Sequence, residues 1–523
     1  MTELNIPLSG GQHLYEEIYE YIRDAIRSGE LKKGEKLPSS RSLATSLSVS
    51  RSTVMLAYDQ LLSEGYIEAR QGSGCYVCGL DGLYLPGTEA PAQQVSTALT
   101  SGSARASSTH REAKSDLTQR TSDAGNGKPA AVSAASDQIV IDFSLRRIDM
   151  TGFPYAVWRR LNRLALMDAN AELFSPGPPE GDPALREEIA KYLHFSRGVV
   201  CRADQIIVGA GNEYLLMLLH QILGEGRIVA LENPTYKKAL RILKSMGFAT
   251  RTVGMDENGM RVSDLEKSGA DLAYVMPAHQ FPTGTVLSYT RRMELLKWAE
   301  SDPLEGGSRR DRYIIEDDYD SEFRFRGRPI PALQAQDRTG RVIYMGTFSK
   351  SIAPAIRISY MVLPDRLLAK YDEACGFLNS TVSRIDQAIL TAFLKEGHFE
   401  RHLNRMRARY RARQEVLLKA LAPFEERFEI GGQDTGLYLL LRERGYEGEE
   451  EKEEKITARE RELTQLAARK GIIVYPMYLF RTEGEKNPEG QRLAPTILLG
   501  FAALPDEDLI QGARLLAEAL LID

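Results

Sequence analysis

Thr347-Phe348-Ser349-Lys350-Ser351-Ile352-Ala353-Pro354-Ala355-Ile356-Arg357 places a lysine between two serines, with an arginine further along the same stretch. Upstream, Glu316-Asp317-Asp318-Tyr319-Asp320 directly follows the apolar run Tyr313-Ile314-Ile315. A pyridoxal phosphate site needs a lysine to form the aldimine, a carboxylate to keep the pyridine nitrogen protonated, a ring against the cofactor and donors for the phosphate. Each requirement has a candidate. Lys350 is the Schiff-base residue, and Thr347, Ser349 and Arg357 are its neighbours for the phosphate. A lone lysine is far more often a surface residue; it is the neighbours that change this reading.

Working outward, Asp317 lies just past a strand-like run, at the carboxyl edge where ligands of parallel sheets gather, and is the choice for the ring nitrogen. Tyr319 falls on the same side of an extended segment and offers its phenol to the cofactor's 3-oxygen. The bland alternative for this acidic run is a turn or a helix cap. Val208-Gly209-Ala210-Gly211-Asn212-Glu213 follows one strand-like run and opens an apolar helix, so the backbone amides of Gly209, Ala210 and Gly211 face an anion. A glycine turn before a helix is weak evidence alone, but beside Lys350 and Asp317 it reads as the phosphate cradle. Asn233-Pro234-Thr235-Tyr236 follows the run Ile228 to Leu231, and Tyr236 is the candidate stacking ring, although a tyrosine in a turn is more often structural.

The opposite end of the chain has a different character. Apolar residues at Leu14, Ile18, Tyr21, Ile22 and Ile26 recur at helical spacing from His13 to Ser28. Ser39 and Ser40 suit the cap of a short helix through Leu47, and Ser50 or Ser52 the cap of a third helix ending at Gly65. Tyr66 to Arg70 and Cys75 to Val77 then alternate around Gln71-Gly72-Ser73-Gly74, which is hairpin chemistry. Three helices and a hairpin read as a winged helix-turn-helix, whose third helix enters the major groove of DNA. Candidate DNA contacts are Ser39, Arg41, Arg51, Ser52, Thr53, Arg70 and Gly72. Residues 1–78 hold eight Lys and Arg against ten Asp and Glu, so net charge does not announce DNA binding; the placement of the cations carries that expectation.

Residues 79–137 are rich in Ser, Ala, Thr, Gln, Gly and Pro and too poor in aromatic residues to fold alone, which predicts a flexible linker. At about 5–6 Å times the square root of its length, such a linker spans tens of ångströms. From residue 138 to 523, strand-like runs alternate with helix-length segments, predicting a mostly parallel α/β sheet followed, from about Leu363, by a smaller α+β lobe. Glu447 to Glu454 reads as a solvated loop.

Composition bounds these readings. The 523 residues suit two or three folded units, and 43% hydrophobic content suffices for a sizeable core. There is no apolar run of membrane-spanning length and no secretory leader pattern, and four scattered cysteines do not make a disulfide framework, which together predict a cytoplasmic protein. Cys75-Tyr76-Val77-Cys78 has half of a zinc motif's spacing, but no second pair stands near it, so no metal is expected.

The chain resembles, end to end, the MocR/GabR family of bacterial regulators, in which a GntR-type winged helix is joined to a fold-type I, aspartate-aminotransferase-like domain. The resemblance is carried by Leu37 to Val54, Glu232 to Tyr236, Pro277-Ala278-His279-Gln280-Phe281-Pro282-Thr283-Gly284, Glu316 to Glu322 and Thr347 to Tyr360. It implies a double-stranded DNA operator as partner, pyridoxal 5'-phosphate as cofactor, a small amine or amino acid as effector, and a head-to-tail homodimer. Aminotransferases usually carry Asn where this chain has Phe281, a departure that favours binding over turnover, with Phe281 still facing the cofactor. GabR-like members hold an effector carboxylate with arginines; the candidates here are Lys238, just after Tyr236, and Arg492. Two other readings stay open: a working aminotransferase with an autoregulatory DNA-binding head, and a pure sensor of the cofactor that governs vitamin B6 genes.

Overall fold

The computed structural model describes residues 6–7, 14–28, 30–32, 34–63, 66–70, 74–77, 140–301, 311–326, 330–446, 453–482 and 494–521. The expected linker, Cys78, Gly72, Gly65 and Arg492 lie outside the described residues.

The head is built from α1 (Leu14–Ser28), α2 (Ser40–Ser46), α3 (Arg51–Ser63) and the antiparallel pair β1 (Ile67–Arg70) and β2 (Gly74–Val77). Both predicted caps form: Ser39 Oγ accepts the amide of Ser42 at 3.1 Å, and Ser50 Oγ that of Thr53 at 3.1 Å. Each satisfies a donor that the first turn of a helix leaves without an intrahelical partner. Ile18, Ile22, Leu43, Val54, Ala57 and Leu61 are buried together as the head's core. Tyr289 of the body joins that core, its ring stacked on Tyr66 at 4.7 Å.

The body's large sheet runs in the order β3 (Ile206–Gly209), β10 (Ser359–Val362), β9 (Val342–Thr347), β8 (Tyr313–Asp318), β7 (Leu272–Val275), β4 (Ile228–Asn233), β5 (Ala249–Asp256), β6 (Gly259–Met260). Its centre, β9-β8-β7-β4-β5, is parallel, while β10 is antiparallel to both β9 and β3. Strands β7 and β8 are buried along their whole length and β4 at all but its first residue, as a sheet covered by helices on both faces requires. Among the covering helices are α4 (Asn212–Leu223) and α5 (Tyr289–Glu300). A second sheet, ordered β11 (Phe428–Gly431), β12 (Tyr438–Glu443), β14 (Thr496–Gly500), β13 (Tyr475–Pro476), makes the smaller lobe. It packs with α6 (His398–Ala420) and α7 (Asp506–Leu520) around Phe143, Phe424, Phe428 and Phe501. No helix among the described residues is long and apolar enough to cross a membrane.

Strand register explains how residues far apart in sequence meet. Thr347 pairs with Ser359, Ser359 pairs with Gly209, and Met345 pairs with Asp317. The end of β9, the start of β10 and the end of β3 are therefore neighbours, and Asp317 stands one strand away on the same edge.

Candidate cofactor pocket and DNA-reading head

At that edge, the Lys350 ammonium donates to the carbonyls of Leu145 at 2.9 Å and Arg146 at 3.4 Å, in the segment that leads into the body. Enclosure in the protein lowers the lysine to about 8; Asp320 works against this and the Arg146 cation reinforces it. A lysine so placed holds an appreciable share of neutral amine just above neutral pH, which a nucleophilic lysine needs.

Asp317 is buried, accepts a hydrogen bond from the Tyr274 hydroxyl and another from Asn212 Nδ2 at 3.2 Å. Desolvation raises it to about 6, and Asp318 and Asp320 add to the rise, against Tyr274 and Asn212. A buried carboxylate destabilised in this way gains most from a cationic ring nitrogen. Two buried polar atoms, Asn212 Oδ1 and Ser349 Oγ, have no hydrogen-bond partner among the described residues. A lysine, a buried carboxylate and donors for an anion on one sheet edge are the residue types that pyridoxal phosphate requires.

The glycine turn behaves as its position demands. Gly211 has φ of +91°, a region glycine enters without strain, and a Cβ there would collide with the guanidinium of Arg357 and the carboxylate of Glu213. The amide of Ala210 donates to Thr381 Oγ1 at 3.1 Å. Arg357 donates to Glu213 at 2.5 Å, and Lys238 donates to the other oxygen of the same carboxylate. These ion pairs, with the residue's own amide, hold Glu213 at about 2 in spite of partial burial. Lys238, read from sequence as an effector ligand, is thus engaged by Glu213.

The other wall is aromatic. Phe281 meets Tyr236 at 5.9 Å, Tyr319 at 6.3 Å, Tyr438 at 5.8 Å and Phe480 at 5.0 Å, all edge to face. The Tyr319 hydroxyl, expected on the cofactor's 3-oxygen, lies 3.0 Å from His279 Nδ1, which is also 2.9 Å from Asp320. Sequence reading gave no role to Glu213, Asn212, Tyr274, His279 or Asp320. Asn212 and Glu213 stood inside the quoted glycine motif and were legible as the start of a helix; Tyr274 reaches Asp317 from a neighbouring strand and carries no local signal.

In the head, Arg41, Arg51, Ser52 and Arg70 are exposed, as is Ser39. Ser52 and Thr53 hydroxyls lie 2.7 Å and 2.8 Å from the Ser50 hydroxyl, and Arg51 donates to Ser40 at 3.3 Å, joining α2 and α3. Arg70 pairs with Glu68 at 2.6 Å and lies over the Tyr76 ring.

Comparison with known proteins agrees with both halves. Residues 14–77 match the gntR family of bacterial regulatory proteins, and residues 149–301 and 311–496 match aminotransferase class I and II. The chain is 34% identical to YdeL of Bacillus subtilis, an uncharacterized HTH-type transcriptional regulator, over 97% of this chain and 96% of that one. It is 34% identical to MocR of Rhizobium meliloti, a probable rhizopine catabolism regulatory protein, over 82% and 81%. With the pyridoxine biosynthesis regulator PdxR of Corynebacterium glutamicum it shares 32%, over 81% and 82%. Among solved structures, the multiple substrate aminotransferase of Thermococcus profundus superposes with a TM-score of 0.61 at 25% identity, over 73% of this chain and 91% of that one. A winged helix joined to an aminotransferase-type body defines a class of DNA-binding regulators. The chain belongs to the MocR family of that class, the HTH-type transcriptional regulators with an aminotransferase class I and II domain.

Proposed function

We propose that this regulator binds pyridoxal 5'-phosphate at Lys350 and changes its hold on an operator when that pocket is altered by the cofactor or by a small amine or amino acid. The observation that carries the reading is that one edge of the large sheet gathers the lysine just past β9, the buried carboxylate of Asp317 near the end of β8 and the Gly209–Gly211 turn at the end of β3. Bound there, pyridoxal phosphate supplies an electron-accepting ring and an aldehyde. Asp317 orients the ring, Tyr236 and Phe281 exclude water from it, and Arg357, Ser349 and Thr347 hold the phosphate. Arg41, Arg51 and Arg70 meet DNA phosphates, with Ser39, Ser52, Thr53 and Gly72 beside them.

One segment supports communication between the two ends. Residues 277–287 carry His279 and Phe281 on the pocket side and lead directly into α5, whose first residue, Tyr289, stacks on Tyr66 of the head. The segment is braced: Leu287 donates to Pro277 O at 3.0 Å, Gly284 to Gln280 O at 2.8 Å, and Arg292 to the carbonyls of both Pro277 and Leu287 at 3.1 Å. A displacement at Phe281 therefore moves α5 with little slack.

The test is an absorption spectrum after adding pyridoxal phosphate, beside Lys350→Ala, followed by operator binding with a panel of amines and amino acids. A Lys350-dependent band, and an operator affinity that one ligand changes without keto-acid release, supports the regulator. Keto acid released over many turnovers makes the chain an enzyme. A band that no amine perturbs, with DNA affinity following cofactor alone, makes it a cofactor sensor.

A further inference from the structure

We propose that the carboxylate of Glu213 competes with the phosphate of pyridoxal phosphate for Arg357 and the amino end of α4, making this chain a deliberately weak, reversible holder of its cofactor. The inference rests on the reading of the Lys350 pocket given above.

Glu213 stands in the first turn of α4, where amides without intrahelical partners and the positive end of the helix dipole favour any anion. Its Oε2 takes the Arg357 guanidinium at 2.5 Å and its Oε1 takes the Lys238 ammonium. The guanidinium is laid against the glycine turn by the missing side chain of Gly211. The cations and amides that would receive a phosphate thus already hold a carboxylate. Two cations less one carboxylate leave a single positive charge for a phosphate that carries nearly two negative charges at neutral pH.

The arrangement also allows displacement. The Glu213 side chain is 34% exposed and that of Lys238 47%, so water reaches both, and the pair can turn outward together while Arg357 stays at the turn. Screening at such exposure keeps the competition modest, about two- to five-fold in affinity. This favours signalling by the cofactor itself over permanent loading.

The experiment compares the full-length chain with Glu213→Gln and Glu213→Ala, titrated separately with pyridoxamine 5'-phosphate, pyridoxal phosphate and pyridoxal, reading tryptophan fluorescence and heat of binding. The expected result is tightening of both phosphorylated ligands by about two- to five-fold in each variant, with pyridoxal unchanged. Equal or weaker binding of the phosphorylated ligands would mean that Glu213 merely positions Arg357, and overturns the proposal; so does an equal gain for pyridoxal. Pyridoxamine 5'-phosphate needs no lysine, so its affinities judge Glu213, whereas a visible band lost in Lys350→Ala judges the pocket. If neither phosphorylated ligand binds wild type or variants, the pocket reading fails and the Glu213 inference with it.

Discussion

Replacing Lys350 by Met in the cofactor-free chain tests the central claim about the pocket through stability alone. Lys350 is lowered from 10.5 to about 8, chiefly by burial. The lowered value means that the unfolded chain binds more protons than the folded one between those two pH values, so the stability of the wild type rises with pH across that window. Below about pH 8 the buried ammonium costs about 3 kcal/mol relative to a neutral group. Methionine removes that cost but leaves the Leu145 and Arg146 carbonyls without their donor, a loss of about 1 kcal/mol. The variant is therefore expected to be more stable by about 2 kcal/mol at pH 7, and the advantage to vanish or reverse by about pH 10.5. Urea unfolding followed by tryptophan fluorescence reads the body selectively, because the chain's two tryptophans are Trp158 and Trp298. A difference that does not change with pH, or a wild type more stable at pH 7, refutes the reasoning.

Three further outcomes are expected. Arg197 and Asp318 form a 2.7 Å ion pair with both side chains 3% exposed, so Arg197→Ala strands a buried carboxylate and should cost about 3–5 kcal/mol in urea unfolding; a loss under about 1 kcal/mol would show that Tyr344, which also donates to Asp318, suffices. Arg51→Ala should weaken operator binding and lower the slope of log affinity against log salt by about one, and an unchanged slope removes its phosphate contact. Tyr289→Ala removes the body's half of the stack on Tyr66 while leaving the head's own residues in place, and should leave DNA affinity of the unliganded protein nearly intact while shrinking the change that ligand produces; a full ligand response in gel-shift titrations argues against this joint.

The sequence made Lys350, Asp317 and the turn Gly209–Gly211 legible because each sits at a strand end, where alternation of apolar runs and small residues is visible locally. The helix caps at Ser39 and Ser50 were legible for the same reason. What escaped was everything fixed by register. Tyr274 reaches Asp317 only because β7 and β8 run parallel, pairing Tyr274 with Ile315. The Leu145 and Arg146 carbonyls that receive Lys350 are backbone atoms, and no side-chain pattern marks them. Lys238 looked like an effector ligand beside Tyr236, but the fold brings the start of α4 to it and supplies a carboxylate 25 residues away in sequence. The contact of Tyr66 with Tyr289 crosses more chain than any sequence periodicity can span.

Phe281 ties these observations to the choice between turnover and sensing. An asparagine at that position would bring an amide donor toward the cofactor's 3-oxygen; the phenyl ring brings only edges, which it shares with Tyr236, Tyr319, Tyr438 and Phe480. One hydroxyl on that wall, Tyr319's, is turned to His279 at 3.0 Å and, through it, to Asp320. The Tyr319 hydroxyl is therefore drawn into a protein network, while the Phe281 ring lies within the braced segment leading to Tyr289. A side chain that contributes little to proton handling and much to packing is what a ligand-responsive joint requires, because packed aromatic edges transmit displacement where a solvated polar group yields. On this argument Phe281 and Glu213 act toward one end: Phe281 couples the pocket to the head, and Glu213 keeps its occupancy open to change.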